Sequence, residues 1–232
     1  MDRYYPIMLD IRGKKCKIIG GGKVAERKAT TLLEYGAVIE VISPVVTDKF
    51  LRYYQEGKIS WIQRNYIYGD LESSYLVYAA TNDEEANKDC LKECMEKNIL
   101  LNVVDGSETG NFIVPANINR GHLNLSISTN GKSPMLSRKI KEELEKLFPE
   151  EYGEYLDILG ELREILKNEV NDIEKRRRIF YDLVYSDTFD RYLSGEIEDL
   201  KEALYNIYFN SSRLQGVDMN GQKRNNNREQ GE

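Results

Sequence analysis

The sequence has few of the side chains from which metal centres and disulfide frameworks are built. Its 232 residues include one histidine, His122, and three cysteines. A single histidine excludes histidine-rich metal centres, and we interpret His122, which follows Gly121, as a turn residue. An odd number of cysteines in a chain without a secretory signal argues against disulfides. Cys90 and Cys94 are interpreted as a packing pair on one helix face, because no further ligand completes a two-thiolate metal site.

Long apolar runs and an excess of positive charge are also missing. No stretch of about eighteen apolar residues occurs, so we expect no membrane-spanning helix. The N-terminal sequence MDRYYPIMLDIRGKK lacks the apolar core and cleavage site of a signal peptide. The formal net charge of -6 disfavours non-specific nucleic-acid binding. We therefore expect a soluble cytoplasmic protein without membrane or nucleic-acid partners.

The first 113 residues contain an alternation of two hydrophobic periods. The predicted strands are 16–20, 37–44, 59–66, 74–81 and 99–105, and the predicted helices are 23–36, 46–58 and 83–98. Short apolar strands that alternate with amphipathic helices are typical of βαβ units with a parallel sheet covered on both faces. We therefore predict an α/β, Rossmann-like domain over residues 1–113.

The turn after the first predicted strand reads GGGKVA (20–25), which has the form G-x-G-x-x-G/A. Gly20 would make the turn, Gly22 would let a pyrophosphate approach the backbone, and Ala25 would let helix and strand pack closely. The helix N-terminus would add free N–H groups and partial positive charge. A merely tight turn is the alternative to this dinucleotide site. The predicted cofactor contacts from the turn are Gly20, Gly22, Lys23 and Val24.

The end of the second predicted strand lacks the acid that NAD sites usually present to the ribose. The corresponding position lies near Ser43 and Pro44. A serine hydroxyl can still exchange a hydrogen bond with a ribose hydroxyl, and no arginine stands beside Ser43 to hold a 2′-phosphate. The residues alone therefore leave NAD and NADP open.

Asp105 ends the strand-like run ILLNVVD, at the sheet edge where ligands of open α/β sheets bind. A carboxylate after an apolar run is costly unless it is paired or functional. We interpret Asp105 as the catalytic candidate. The alternative is a loop cap for Gly106 and Ser107, and we interpret Asn102 as a structural hydrogen-bonding residue.

Beyond residue 113 the pattern changes. Two strand-like runs precede a helix with Ser133 as its N-cap and Pro134 in its first turn. A strand pair and one helix cannot bury their own apolar faces, so we predict that residues 114–148 form a homodimerisation segment. The remaining residues form a predicted helical domain at 149–210 and a predicted disordered tail at 211–232.

These motifs resemble the precorrin-2 dehydrogenases, which form the amino-terminal module of siroheme synthases. The resembling stretches are YPIMLDIRGKKCKIIGGGKVAERKATTLLEYGA, VISP, AATND, NVVDG…NFIVPA and ISTNGKSPMLSRKIKEELE. They occur in the family's order and at similar spacing over residues 4–147. The helical region with EKRRRIFYDLV also resembles the small C-terminal domain of the family.

The resemblance implies NAD-dependent oxidation of precorrin-2, a tetrapyrrole, to sirohydrochlorin on the route to siroheme. Some members of the family also insert Fe²⁺ into the product. The resemblance implies that Asp105 is the catalytic aspartate and that about 114–147 forms the homodimer interface. A non-acidic residue at Ser43 is usual in the family, which favours NAD. The further cofactor contacts that it implies are Ser43, Pro44, Val45 and Thr81.

The chain departs from the family beside Asp105. Relatives commonly carry NVVDDPELCDF where this chain has NVVDGSETGNF, so Gly106, Gly110 and Asn111 replace an acid, a cysteine and an acid. The less acidic loop disfavours Fe²⁺ recruitment and leaves chelatase activity open. A substrate with eight carboxylates needs cations and N–H donors, although each candidate can instead be an ordinary surface group. The predicted substrate contacts are Arg120, Lys132, Ser133 and Arg138.

Two other functions fit the residues. One is a different NAD(P)-dependent oxidoreductase that acts on a small substrate with the same fold. The other is a non-catalytic NAD-sensing module, which would leave Asp105 and ISTNGKSP without a role. No methyltransferase domain follows the helical region, so we expect a protein other than the trifunctional fusion.

Overall fold

The computed structural model describes residues 4–104 and 110–214 of the chain. The chain forms two compact units. The first unit comprises Met1–Val114 with Asn130–Lys132, and the second comprises Pro115–Thr129 with Ser133–Glu232. The division at 113 and 148 that the sequence suggests stays a prediction.

The first unit contains a five-stranded parallel sheet. The strands are β1 (Lys15–Ile19), β2 (Val38–Ile42), β3 (Ile59–Ile62), β4 (Leu76–Ala79) and β5 (Leu100–Val103). Their order in the sheet is β3-β2-β1-β4-β5. This order and the intervening helices confirm the predicted Rossmann-like α/β fold, with a topological switch point beside β1. The helices are α1 (Lys23–Glu34), α2 (Asp48–Gln55) and α3 (Glu84–Lys97).

Both faces of this sheet are covered by apolar side chains. On one face Ile18 and Tyr78 pack in a cluster with Ala25 of α1. On the other face Cys90 and Cys94 of α3 pack in a second cluster. Both thiols are fully buried, and desolvation raises the pKa of Cys94 to about 12. The two cysteines therefore behave as core side chains rather than as thiolates.

The second unit begins with an antiparallel hairpin of β6 (Ala116–Arg120) and β7 (Leu123–Ile127). His122 lies in the turn between these strands, as predicted. Ser133 caps the next helix by accepting the N–H of Leu136 at 3.2 Å. The helices of this unit are α4 (Pro134–Leu147), α5 (Tyr152–Glu169), α6 (Ile173–Tyr185), α7 (Thr188–Leu193) and α8 (Leu200–Leu214).

The end of α8 corrects one predicted boundary. Residues 211–214, which the sequence assigns to a disordered tail, continue the helix. Ser211 is buried and donates to Asp182 Oδ2 at 2.8 Å, so a polar sequence here packs against α6. The rest of the predicted tail, 215–232, lies outside the described residues. Within the described ranges, every helix is too short or too polar to cross a bilayer.

Candidate functional site

Gly20 joins the end of β1 to the ends of its two neighbouring strands. Its φ is +120°, and its N–H donates to the carbonyl of Ile42 at 3.0 Å. A Cβ on Gly20 would lie 2.2 Å from the carbonyl oxygen of Ala80. Only glycine satisfies both the backbone conformation and this close approach. The first position of the motif is therefore fixed by packing at the switch point.

Gly21 is also required sterically, although the motif leaves its position unspecified. A Cβ on Gly21 would lie 2.0 Å from the carbonyl oxygen of Val45 and 2.8 Å from Ser43 Oγ. The Gly21 carbonyl in turn accepts the N–H of Thr47 at 3.1 Å. The loop after β2 thus packs directly on the turn. We did not predict Gly21 as a site residue, and the run of three glycines was the signal for it.

Gly22 differs from both because no described atom crowds it. It is the N-cap of α1 with extended backbone, and within residues 4–104 and 110–214 no side chain caps the helix and no atom lies within 4 Å of the position that a Cβ would take. Lys23 and Val24 begin the helix behind it, and Ala25 is fully buried. Uncapped N–H groups that face open space are suited to an anion such as a pyrophosphate.

A cleft of about 80 Å³ adjoins this turn at the carboxyl ends of β1, β2 and β4. It brings together four of the predicted cofactor residues: Gly20, Ser43, Pro44 and Thr81. Val45 is 74% exposed, and its carbonyl packs on the glycine turn. Gly22, Lys23 and Val24 form the start of α1 and do not line the cleft.

Ser43 uses its hydroxyl to shape the loop after β2. The side chain is buried, and Oγ donates to the carbonyl of Val45 at 2.7 Å. The Ser43 carbonyl accepts the indole N–H of Trp61 at 2.9 Å. The residue that stands where an acid was expected therefore holds the loop against Gly21.

Tyr66 forms the wall of the cleft contributed by the loop after β3. Its hydroxyl donates to Glu93 Oε2 at 2.6 Å, and Glu93 also accepts the N–H groups of Gly69 and Leu71 at 2.8 and 3.0 Å. The Glu93 side chain is fully buried, and Lys97 lies 3.2 Å away. Burial acts to raise the pKa of Glu93, but hydrogen bonds from Tyr66 and Gly69 lower it below its ordinary value.

Arg64 and Asp70 close the same loop. The guanidinium binds both carboxylate oxygens, at 2.6 and 2.8 Å, and this lowers the pKa of Asp70. Buried Lys17 of β1 donates to the Asp70 carbonyl and lies 2.9 Å from Glu40. None of these residues stands out in the sequence, because ion pairs between side chains carry no local sequence pattern.

The loop after β4 provides the opposite wall. Asp83 caps α3, with Oδ1 accepting the N–H groups of Glu85 and Ala86 at 3.0 and 3.1 Å. Its own N–H donates to Thr81 Oγ1 at 3.1 Å. Asn87 Nδ2 donates to the Thr81 carbonyl at 3.0 Å. This wall is held by a local network of hydrogen bonds.

Asp105, the predicted catalytic residue, lies outside the described residues. Its flanks are fixed on β5. Val104 donates its N–H to the carbonyl of Ala79 at 2.9 Å. On the other side, Asn111 Oδ1 accepts the N–H of Leu101 at 2.8 Å, and Nδ2 donates to the carbonyl of Ile99 at 2.9 Å. An amide matches this donor and acceptor together, whereas the acid usual in relatives offers acceptors alone when ionised.

Two further contacts tighten the segment beside β5. A Cβ on Gly110 would lie 1.9 Å from the carbonyl oxygen of Leu101, so only glycine fits there. Asn102 Nδ2 donates to the carbonyl of Phe112 at 3.0 Å, which is the structural role expected from the sequence. The departures from the family at Gly110 and Asn111 thus coincide with close backbone packing.

Among the predicted substrate contacts, Arg120 is the most engaged. Its Nε donates to the carbonyl of Phe148 at 2.8 Å, and a second guanidinium nitrogen lies 3.0 Å from Glu150. The Arg120 side chain is 13% exposed. These contacts tie the hairpin to the connection between α4 and α5.

The other predicted substrate contacts lie near the start of α4. Ser133 is the N-cap, and Arg138 forms an exposed ion pair with Glu142 at 2.9 Å. Lys132 is exposed. Substrate binding by these residues and by Arg120 stays a prediction.

Comparisons with known proteins agree with this arrangement. The family model for putative NAD(P)-binding matches residues 7–116, and the model for the central part of the sirohaem biosynthesis protein matches 120–147. The siroheme synthase of Photorhabdus laumondii subsp. laumondii is 35% identical over 202 residues, which cover 87% of this chain and 43% of the relative. That of Photobacterium profundum is 33% identical over 205 residues, covering 88% of this chain and 44% of the relative.

The chain thus spans less than half the length of these relatives. A solved structure of SirC, precorrin-2 dehydrogenase, is 28% identical with a TM-score of 0.75, and the match covers 88% of this chain and 98% of that chain. The two family models, the two relatives and the SirC structure all indicate the same family. The chain belongs to the siroheme synthase family, in which it corresponds to the NAD(P)-binding and central regions.

Proposed function

We propose that the chain is a precorrin-2 dehydrogenase that oxidises precorrin-2 to sirohydrochlorin with NAD⁺. The observation that carries the proposal is the uncapped start of α1 at Gly22, which faces open space beside a cleft at the switch point. The likeness to SirC, over nearly all of that protein's length, supports the substrate.

The residues at this point fit a dinucleotide. The N–H groups of Lys23 and Val24 at the start of α1 would hold the pyrophosphate, and Gly22 would leave room for it. The cleft lined by Ser43, Tyr66 and Thr81 would take the adenosine. Bound NAD⁺ supplies a hydride acceptor.

We assign removal of the substrate proton to Asp105. The assignment rests on the sequence and on the family resemblance, and the fixed flanks at Val104 and Asn111 support it. Both flanks lie along β5, whose carboxyl end is on the same edge of the sheet as the glycine turn. A base at this edge is in reach of a substrate bound beside the cofactor.

We also propose that the protein works as a homodimer. Helix α4 leaves large apolar side chains in solvent, among them Met135 at 83% and Leu147 at 66% exposure. A second copy would cover this surface. Insertion of Fe²⁺ as a second substrate stays a prediction from the resemblance.

The test is an assay of wild type and Asp105→Asn with precorrin-2 and NAD⁺, followed by sirohydrochlorin absorbance. We expect turnover by the wild type and a loss of about 100-fold or more in kcat for Asp105→Asn, with NAD⁺ binding unchanged. Near wild-type turnover by the variant would remove Asp105 from the mechanism. Binding of NAD⁺ without turnover by the wild type would favour a sensing module, and turnover of small alcohols or acids instead would favour another oxidoreductase. The same assay with Co²⁺ in place of NAD⁺ measures chelation.

A further inference from the structure

The cofactor cleft contains a carboxylate, but it follows a different strand from the one that usually supplies the acid. In most NAD sites the acid that binds the ribose follows the second strand. Here that position is Ser43, whose hydroxyl proton is committed to the carbonyl of Val45 at 2.7 Å. Among the described residues that line the cleft, Asp83 is the one acid, and it comes from the loop after β4.

The carboxylate of Asp83 has one engaged and one available oxygen. Oδ1 caps α3 by accepting two backbone N–H groups, from Glu85 and Ala86. No described residue donates a hydrogen bond to Oδ2. The Asp83 backbone is also held, since its N–H donates to Thr81 and its carbonyl accepts the N–H of Asn87 at 3.0 Å. Asp83 is therefore held at the cleft with one carboxylate oxygen that no described residue engages.

The described lining of the cleft also contains no positively charged side chain. No lysine, arginine or histidine of the described chain lines the cleft. The nearest candidate in sequence is Arg64, next to the lining residue Asn65. Its guanidinium already binds both oxygens of Asp70, at 2.6 and 2.8 Å. If Arg64 left Asp70 to bind a phosphate, the Asp70 carboxylate would lose the cation that pairs with it.

We propose that Asp83 Oδ2 accepts a hydrogen bond from the ribose 2′-hydroxyl of the cofactor and so selects NAD⁺ over NADP⁺. The carboxylate would stabilise a ribose hydroxyl by a charge-assisted hydrogen bond and would repel a 2′-phosphate at the same position. Asp83 is then the acid that the second strand lacks, supplied across the switch point by β4. The inference rests on the proposed function only in that the cleft binds a dinucleotide.

The simpler explanation of Asp83 is that it only caps α3. The two explanations separate in Asp83→Asn, because asparagine caps helices about as well as aspartate but carries no charge. Asp172→Asn is the matched control. Asp172 caps α6 in the second unit with the same geometry, accepting from Glu174 and Lys175 at 2.8 and 3.2 Å, and does not line the cleft.

The experiment measures the Kd of NAD⁺ and of NADP⁺ by calorimetry, without precorrin-2, for the wild type and both variants. We expect Asp83→Asn to bind NAD⁺ about tenfold more weakly and NADP⁺ several-fold more tightly, so that the preference for NAD⁺ falls by at least about tenfold. Asp172→Asn should keep the wild-type ratio. A wild type without preference for NAD⁺, or an Asp83→Asn variant with an unchanged ratio, overturns the proposal.

A second variant keeps the test decisive if Asp83→Asn folds poorly. Asp83→Ser also retains a capping oxygen but is shorter, so it should lose the preference for NAD⁺ to a similar extent. The result is independent of the reaction. If the preference for NAD⁺ shifts in Asp83→Asn but the wild type does not oxidise precorrin-2, the proposed function is wrong and the role of Asp83 stands. If the wild type oxidises precorrin-2 but the preference for NAD⁺ does not shift, the role of Asp83 is wrong and the proposed function stands.

Discussion

The sheet of the first unit and the hairpin of the second bury their strands to different degrees. All residues of β4 are buried, and β1 leaves only Lys15 partly exposed. In β6 and β7, Ile118 is the one buried residue. The first unit thus buries most of the side chains on its central strands. The hairpin is only half-buried, and α4 leaves Met135, Leu136 and Leu147 exposed among the described residues.

This difference determines what a substitution should do in each region. Around the cleft, backbone packs on backbone at Gly20 and Gly21, so there is no space for the methyl group of an alanine. On α4, side chains such as Met135 extend into solvent, so a change there costs the isolated chain little. We expect substitutions around the cleft to destabilise the fold, and substitutions on α4 to weaken association with a second copy.

The largest effect is expected from Gly21→Ala. The added Cβ would lie 2.0 Å from the carbonyl oxygen of Val45 and would push the loop after β2 off the turn. We expect a loss of about 3 kcal/mol in the free energy of unfolding, since the atom in closest contact belongs to the backbone of Val45 and cannot move aside alone. Urea denaturation followed by circular dichroism measures it.

Gly22→Ala is the matched control, one residue along the same turn. Its Cβ would meet no atom of the described residues within 4 Å, so the free energy of unfolding should change by about 1 kcal/mol or less. The methyl group would instead occupy the space proposed for the pyrophosphate and weaken NAD⁺ binding. Equal destabilisation by the two alanines would contradict the steric difference between neighbouring glycines.

The next effect concerns Glu93, which fixes the Tyr66 wall of the cleft. The Glu93 carboxylate accepts hydrogen bonds from three neutral donors and from a lysine. In Glu93→Gln one of the two acceptor oxygens becomes an amide nitrogen that cannot accept. We therefore expect the free energy of unfolding to fall by about 2 kcal/mol at pH 7. The pKa of Glu93 is lowered in the folded state. Its stabilisation is therefore complete above the unfolded pKa, near 4.5, and is lost as the pH falls below it.

Denaturation at pH 7 and pH 4 measures this dependence. The wild type should lose stability between the two pH values more steeply than Glu93→Gln. Glu96→Gln is the control, because Glu96 lies one turn further along α3 and also accepts from a tyrosine, Tyr68, but in solvent. It should change stability by at most about 0.5 kcal/mol. The same pH slope in wild type and Glu93→Gln would show that the buried carboxylate is not the group that titrates.

The elements with a strong period were predictable from sequence, and the contacts that shape the site were not. The alternation of strands and helices predicted the Rossmann-like sheet, and GGGKVA predicted where α1 would begin. Strand ends were less certain: the predicted strand 59–66 stops at Ile62, where the N–H of Arg64 turns back to that residue's carbonyl at 2.9 Å. Glu93 has no pattern around it, because Tyr66, Gly69 and Leu71, which donate to it, lie on a loop far from it in sequence.

The smallest effect on the chain itself is expected from Met135→Glu, which tests the other side of the comparison. Met135 is 83% exposed, so the free energy of unfolding of the isolated chain should change by less than about 0.5 kcal/mol. If a second copy covers α4, the new carboxylate becomes buried without a partner, and the dimer should dissociate at least about tenfold more readily. Light scattering over a dilution series measures the oligomeric state.

Leu214→Glu, at an equally exposed position (85%) on α8, should leave that state unchanged. A wild-type monomer at every concentration would show instead that the apolar face of α4 is tolerated in solvent.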